Sequence, residues 1–91
     1  MDPRLDLIAQ SFDLKKLDRR CNEKNCGKIP SKRTLIFELN ELTAEKKELV
    51  MLHLCTKHFE SLERFLRELG ELTEKDKTIG TKVFETGYVT Y

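Results

Sequence analysis

Three cysteines and two histidines are the residues of this 91-residue chain best suited to chemistry, and four of the five fall into two close pairs. Cys21 and Cys26 flank four residues, and Cys55 and His58 flank two. A Cys3His set is an established ligand set for structural zinc, and such short spacings let each pair reach one ion from a tight turn. Two separate pairs are needed because four tetrahedral ligands cannot all be local. Three thiolates and Zn²⁺ leave a net charge of −1, which a helix N-terminus and Lys24, Lys28 and Lys57 would offset. His53 is the rival fourth ligand. His58 is preferred because Cys-x2-His makes the tighter chelate. A free cysteine also serves well as a small buried hydrophobe, but here every cysteine of the chain belongs to the pattern.

The surroundings of these residues favour metal over disulfide. The start, Met1-Asp-Pro-Arg-Leu-Asp, is charged and lacks the apolar stretch of a signal peptide. No run approaches the ~18 apolar residues of a membrane span. The expectation is therefore a cytoplasmic protein with no membrane partner, in a compartment where thiols stay reduced. Apolar residues make up 38% of the chain, charged residues 36%, and Trp is absent. A core this thin in one small domain calls for a staple such as a metal ion. Abundant Lys and Glu with a single Gln resemble the thermophile bias.

The elements that must position the ligands can be read from periodicity. Asp2-Pro3 is a helix start, with Asp as the cap and Pro at the first helical position. Leu5, Ile8, Ala9 and Phe12 then form one apolar helical stripe. Cys21 to Gly27 reads as a knuckle, with Gly27 expected to turn the backbone under the sulfur at positive φ. Thr34 to Asn40 reads as a strand, with Leu35, Phe37 and Leu39 on one face and Thr34, Ile36 and Glu38 on the other. Glu48 to Leu54 is the expected return strand. Thr56 to Leu69 is the clearest helix, with Phe59, Leu62, Phe65, Leu66 and Leu69 inward and Gly70 as its terminating residue. A competing reading joins residues 44–69 into one helix, because Met51, Cys55, His58, Leu62, Phe65 and Leu69 recur at alternating spacings of four and three. The hairpin is preferred: Leu49 to Leu54 is apolar nearly all round, and the first strand needs a partner. The segment from Thr78 to Tyr91 is either a hairpin turned at Thr86-Gly87 or a tail that orders on contact.

These elements predict an α+β fold, a small zinc-stapled domain with a knuckle, β-hairpin and following helix, preceded by an N-terminal helix. The organisation is an N-terminal helical segment over 1–19, a zinc-binding domain over 20–70 and a C-terminal extension over 71–91. Cys21-x4-Cys26-Gly27-Lys28, a hairpin, and Leu54-Cys55-Thr-Lys-His58-Phe59 running into a helix resemble the treble-clef and zinc-ribbon-like small proteins. The resemblance spans Arg20 to Leu69, and the first pair departs from the commoner two-residue spacing. It implies a shared structural zinc and a role in binding DNA, RNA or proteins.

Catalysis is not expected. The His-x-Glu and Pro-Cys-x2-Cys pattern of zinc deaminases is missing, four ligands close the metal, and the scattered glycines make no phosphate loop. No small-molecule substrate is expected either. Net charge is only +1, but residues 1–36 carry +4 against −3 for the rest. Lys15, Lys16, Arg19, Arg20, Lys24, Lys28, Lys32 and Arg33 surround the knuckle in sequence and are candidates to follow a nucleic-acid backbone. The alternative is a regulatory adaptor that binds a protein partner, or a homodimer formed through the C-terminal segment, by strand addition.

Overall fold

The computed structural model describes residues 2–15 and 20–85. In chain order the elements are α1 (Pro3–Ser11), β1 (Lys32–Asn40), β2 (Lys46–Leu54), α2 (Thr56–Glu60), α3 (Leu62–Glu71) and β3 (Lys77–Glu85). The α+β class holds, and the hairpin, not the long helix, occupies residues 46–54. Among the described residues no helix is long and apolar enough to cross a membrane.

Asp2 caps α1 by accepting a hydrogen bond from the Arg4 amide at 2.9 Å, and Pro3 opens the helix. The helix is rotated from the expected stripe. Arg4, Ile8 and Phe12 are buried, whereas Leu5 is 45% exposed. The physical cause is the Arg4 guanidinium, which pairs with Asp2 and reaches buried Glu38 of β1. Turning Arg4 toward the sheet turns Leu5 away, because residues four apart share a helical face.

The three strands form one antiparallel sheet in the order β2-β1-β3. Through Glu85 the C-terminal stretch is the third strand of the main sheet. The Thr86-Gly87 turn lies outside the described residues. Thr34, Ile36 and Glu38 of β1 and Leu52 and Leu54 of β2 are buried, so the sheet packs through its Thr34-Ile36-Glu38 face. Leu35, Phe37 and Leu39 occupy the opposite face and are half-buried. The β1–β2 register slips between Ile36 and Phe37, whose partners are Val50 and Glu48, which makes Leu49 the extra residue of a bulge.

The core gathers Ile8, Phe12, Ile36, Leu52, Leu54, Leu62 and Leu69 together with Cys21 and Cys55. Phe12 meets Phe65 edge-on, with ring centroids 5.0 Å apart. The expected helix from Thr56 is broken at Ser61, whose hydroxyl donates to the His58 carbonyl at 3.2 Å. A serine hydroxyl competes in this way with the helical ladder. Gly70 does not terminate α3 but lies within it. The end is closed by Thr73, whose hydroxyl donates to the Leu69 carbonyl at 2.8 Å.

Candidate metal centre

Asn22 ties the knuckle to the sheet through both its backbone and its side chain. Asn22 is buried, and its amide N–H donates to the His53 carbonyl at 2.7 Å. Its side-chain oxygen accepts from the His53 amide at 2.6 Å. Asn22 thereby occupies the outer edge of β2 as a strand residue would. Its side-chain nitrogen donates to the Asp13 carbonyl at 3.0 Å, and its own carbonyl accepts from the Asp13 amide at 2.7 Å. Within the knuckle, the Cys21 amide donates to Lys28 at 2.9 Å and the Cys26 amide to Glu23 at 3.1 Å. Gly27 does not take the left-handed backbone expected of it, and a side chain there would meet open space.

On the other side, β2 ends at Leu54 and delivers Cys55 directly to the start of α2. Cys55 is the capping residue of that helix in extended backbone, and its carbonyl accepts from the Phe59 amide at 2.8 Å. His58 follows within the first turn. The ligand atoms of Cys21, Cys26, Cys55 and His58 all lie within 4.8 Å of one another. The Cys26 and Cys55 sulfurs are 3.8 Å apart, and His58 Nδ1 lies 3.4 Å from the Cys21 sulfur and 3.2 Å from that of Cys55. Zinc bond lengths in a tetrahedron require about 3.8 Å between two sulfurs and about 3.6 Å between sulfur and nitrogen. The sulfur–sulfur distance matches that value and the two sulfur–nitrogen distances are about 0.2–0.4 Å shorter, so the four side chains are close enough to hold one metal ion, with Nδ1 the histidine atom turned toward the sulfurs. His53 is not part of the group; it sits across from Arg33 in the β1–β2 ladder.

Electrostatics favour a cation at the centre. Burial pushes the Cys21 thiol up to about 11, and the Cys55 and Cys26 sulfurs repel its anion further. A divalent ion among the sulfurs reverses that cost, because a coordinated thiol ionises outright. Lys28 and Lys57 border the same surface hollow as Cys26 and His58.

The candidate phosphate-contacting residues are not gathered into one patch. Lys15 and Lys24 line one hollow beside Phe12, and Lys28 lies across the knuckle from them. Arg20 is exposed. Lys32 points to the packed face of the sheet, where it pairs with Glu85, and Arg33 points to the opposite face. Lys16 and Arg19 lie outside the described residues. The tethering role of Asn22 and the pairing of Arg4 with Glu38 are not visible in the sequence; nothing in the local pattern separates Asn22 from Asn25, or Glu38 from a solvent-facing strand glutamate.

Comparison with known protein families, curated proteins and solved structures finds nothing that matches this chain. The site is thus defined by its own geometry: a buried Cys3His group able to hold a metal ion, at the junction of a knuckle, a β-hairpin and a helix.

Proposed function

We propose that the four ligands hold one structural Zn²⁺ and that the chain is a non-catalytic, zinc-stapled module that binds nucleic acid. The observation that carries the zinc is the convergence of three sulfurs and one imidazole nitrogen within 4.8 Å of one another, a Cys3His ligand set at near-bonding spacing around one point. Knuckle, hairpin and helix follow one another in the order of treble-clef-like proteins, which supports the same reading. Four protein ligands leave no open position for a substrate, so the metal's work is structural. Exposed Lys15, Arg20, Lys24 and Lys28 around the knuckle supply the charge for phosphate contacts. A self-associating adaptor is the second reading, favoured by the position of β3 at the edge of the sheet.

Elemental analysis of protein purified under reducing conditions tests the metal. One zinc per chain is expected; Cys55→Ser and His58→Ala release it, and His53→Ala keeps it. Folded wild-type protein without metal would sink the proposal.

A further inference from the structure

The sheet has two faces of different chemistry. One is packed by α1 and α3. The other carries Phe37 and Phe84 with cations set against their rings: Lys46 Nζ lies 5.2 Å from the Phe37 centroid, and Arg33 and Lys82 lie 5.6 and 5.4 Å from that of Phe84. The register explains the grouping. Arg33 is opposite Phe84, and Lys82 is two residues before Phe84 on the same side. Glu48, opposite Phe37, is the acid on this face among the described residues. Gly80 faces Phe37 across the ladder, and a Cβ built there would come within 2.6 Å of the far end of the Phe37 ring. A glycine in a strand interior commonly marks such a close approach. Here it lets the ring lie across β3, where any larger side chain would push it off.

We infer that this open face is a docking platform for single-stranded nucleic acid, with Phe37 and Phe84 stacking bases and Arg33, Lys46 and Lys82 contacting phosphates. The inference rests on the nucleic-acid reading above and gives it a surface distinct from the knuckle. Charge complementarity chooses the occupant. The face also carries half-buried Leu35 and Leu39 and Met51, 38% exposed, but three cations against one acid, set beside both rings, suit a strand that offers a π-face and an anion at every step. Four residue steps, about 13 Å, separate the register positions of the two rings, so they serve different bases. A duplex keeps its bases stacked inside and cannot use the rings.

Fluorescence anisotropy of the zinc-loaded full chain with labelled oligo-dT, oligo-rU and a duplex of matched length tests the proposal. Both single strands are expected to bind, and more tightly than the duplex. Phe37→Leu and Phe84→Leu each weaken single-strand binding about tenfold, in the range of one lost base–aromatic stack. They leave the salt slope unchanged, along with zinc content and circular dichroism. Replacing Arg33, Lys46 and Lys82 with Ala flattens the slope by about 2, at ~0.7 per phosphate. Gly80→Ala weakens binding while keeping both rings, which separates ring placement from ring loss. If the phenylalanine variants bind as wild type while removal of Lys15, Arg20, Lys24 and Lys28 abolishes binding, the platform is refuted and the nucleic-acid reading survives. If no oligonucleotide binds, both fall. Concentration-dependent dimerisation lost in Phe84→Leu, without oligonucleotide binding, assigns the face to a second copy and overturns the inference.

Discussion

The two ends of this molecule are held together in opposite ways. In the sheet, β1 is paired along its length on both sides, to β2 and to β3, so the loss of any one contact is shared by many neighbours. Over residues 20–31 there is no helix or strand. That segment is held by a few backbone hydrogen bonds, by Asn22 and by the Cys3His cluster to which it gives Cys21 and Cys26. Distributed weak contacts tolerate damage, and concentrated strong ones do not. Cys21 and Cys55 belong to the same buried cluster as Leu52, Leu54 and Ile8, so a metal held by the Cys3His group, as proposed, would be continuous with the core.

The largest expected effect comes from removing the metal. Structural zinc contributes roughly 10–16 kcal/mol of apparent binding free energy in finger peptides near neutral pH. That is comparable to the whole stability of a small domain, ~5–15 kcal/mol. Chelation should lower the thermal midpoint by more than about 20 °C, at ~4–8 °C per kcal/mol for this size. Hydrogen exchange should show residues 20–31 and α2 losing protection before the centre of β1. An unchanged midpoint after verified metal removal would break the comparison at its root.

Next is the sheet end's own concentrated contact, the Arg4–Glu38 pair. The two side chains are 10% and 8% exposed. Arg4→Met leaves Glu38 with only Lys77 at 3.4 Å among the described residues, and breaking a buried pair on one side costs about 3–5 kcal/mol. Urea unfolding should show a loss near the lower end of that range, because Lys77 remains, with zinc content intact. The loss should depend on pH. Hydrogen bonding to Arg4 holds the Asp2 carboxyl near 2. Burial works against the Glu38 carboxylate, but Arg4 and Lys77 outweigh it and hold its pKa below the usual value. A carboxyl whose folded pKa is depressed contributes its stability above its unfolded pKa, near 4, and loses it as pH falls toward the folded one. The gap between wild type and Arg4→Met should therefore be full above about pH 5 and narrow below about pH 4. A gap that is constant with pH would show that Arg4 acts by packing alone.

The same contrast governs what could be read from the sequence. The Cys3His cluster was legible because its chemistry is written in residue type and spacing: three cysteines and one histidine in two close pairs leave few other arrangements. The hairpin was legible because period-2 alternation and β-branched residues mark β1 locally and the short run from Leu49 to Leu54, apolar nearly all round, supplies its partner. The rotation of α1 was not, since it follows from Arg4 meeting Glu38, residues 34 positions apart. Nor was the third strand. Thr78 to Glu85 has strand composition, but its partner β1 precedes it by a hairpin and two helices, and local pattern carries no pairing information. The break at Ser61 was missed because the apolar stripe continues across it.

A smaller effect is expected at Asn22. Asn22→Ala removes the two side-chain bonds to the His53 amide and the Asp13 carbonyl. Each buried partner left unpaired costs about 1–3 kcal/mol, less where water reaches the β2 edge. A loss of about 2 kcal/mol in urea unfolding, with zinc still bound, would show that the knuckle has a hydrogen-bonded tether independent of its metal. Loss of zinc together with the fold would merge the two into one contact.

The smallest effect lies at the far tip of the hairpin, and it has the opposite sign. Ala44 has φ 62°, the only left-handed non-glycine residue among those described. The loop holds it there. The Ala44 amide donates to the Asn40 carbonyl at 2.7 Å, the Asn40 amide donates to Glu45 at 2.9 Å, and the Asn40 side chain accepts from the Leu42 amide at 2.9 Å. A Cβ in this conformation costs roughly 1–2 kcal/mol. Glycine removes that strain but gives the unfolded chain more freedom, which costs about 0.5–1 kcal/mol. Ala44→Gly should therefore gain about 0.5 kcal/mol, a rise of a few degrees in midpoint. Because the tip is remote from the ligands, the gain should be additive with Asn22→Ala within about 0.5 kcal/mol. Additivity would show that the distributed and concentrated regions respond independently to small perturbations. A gain that vanishes in the Asn22→Ala background would mean that the hairpin tip and the knuckle are coupled through the strands that join them.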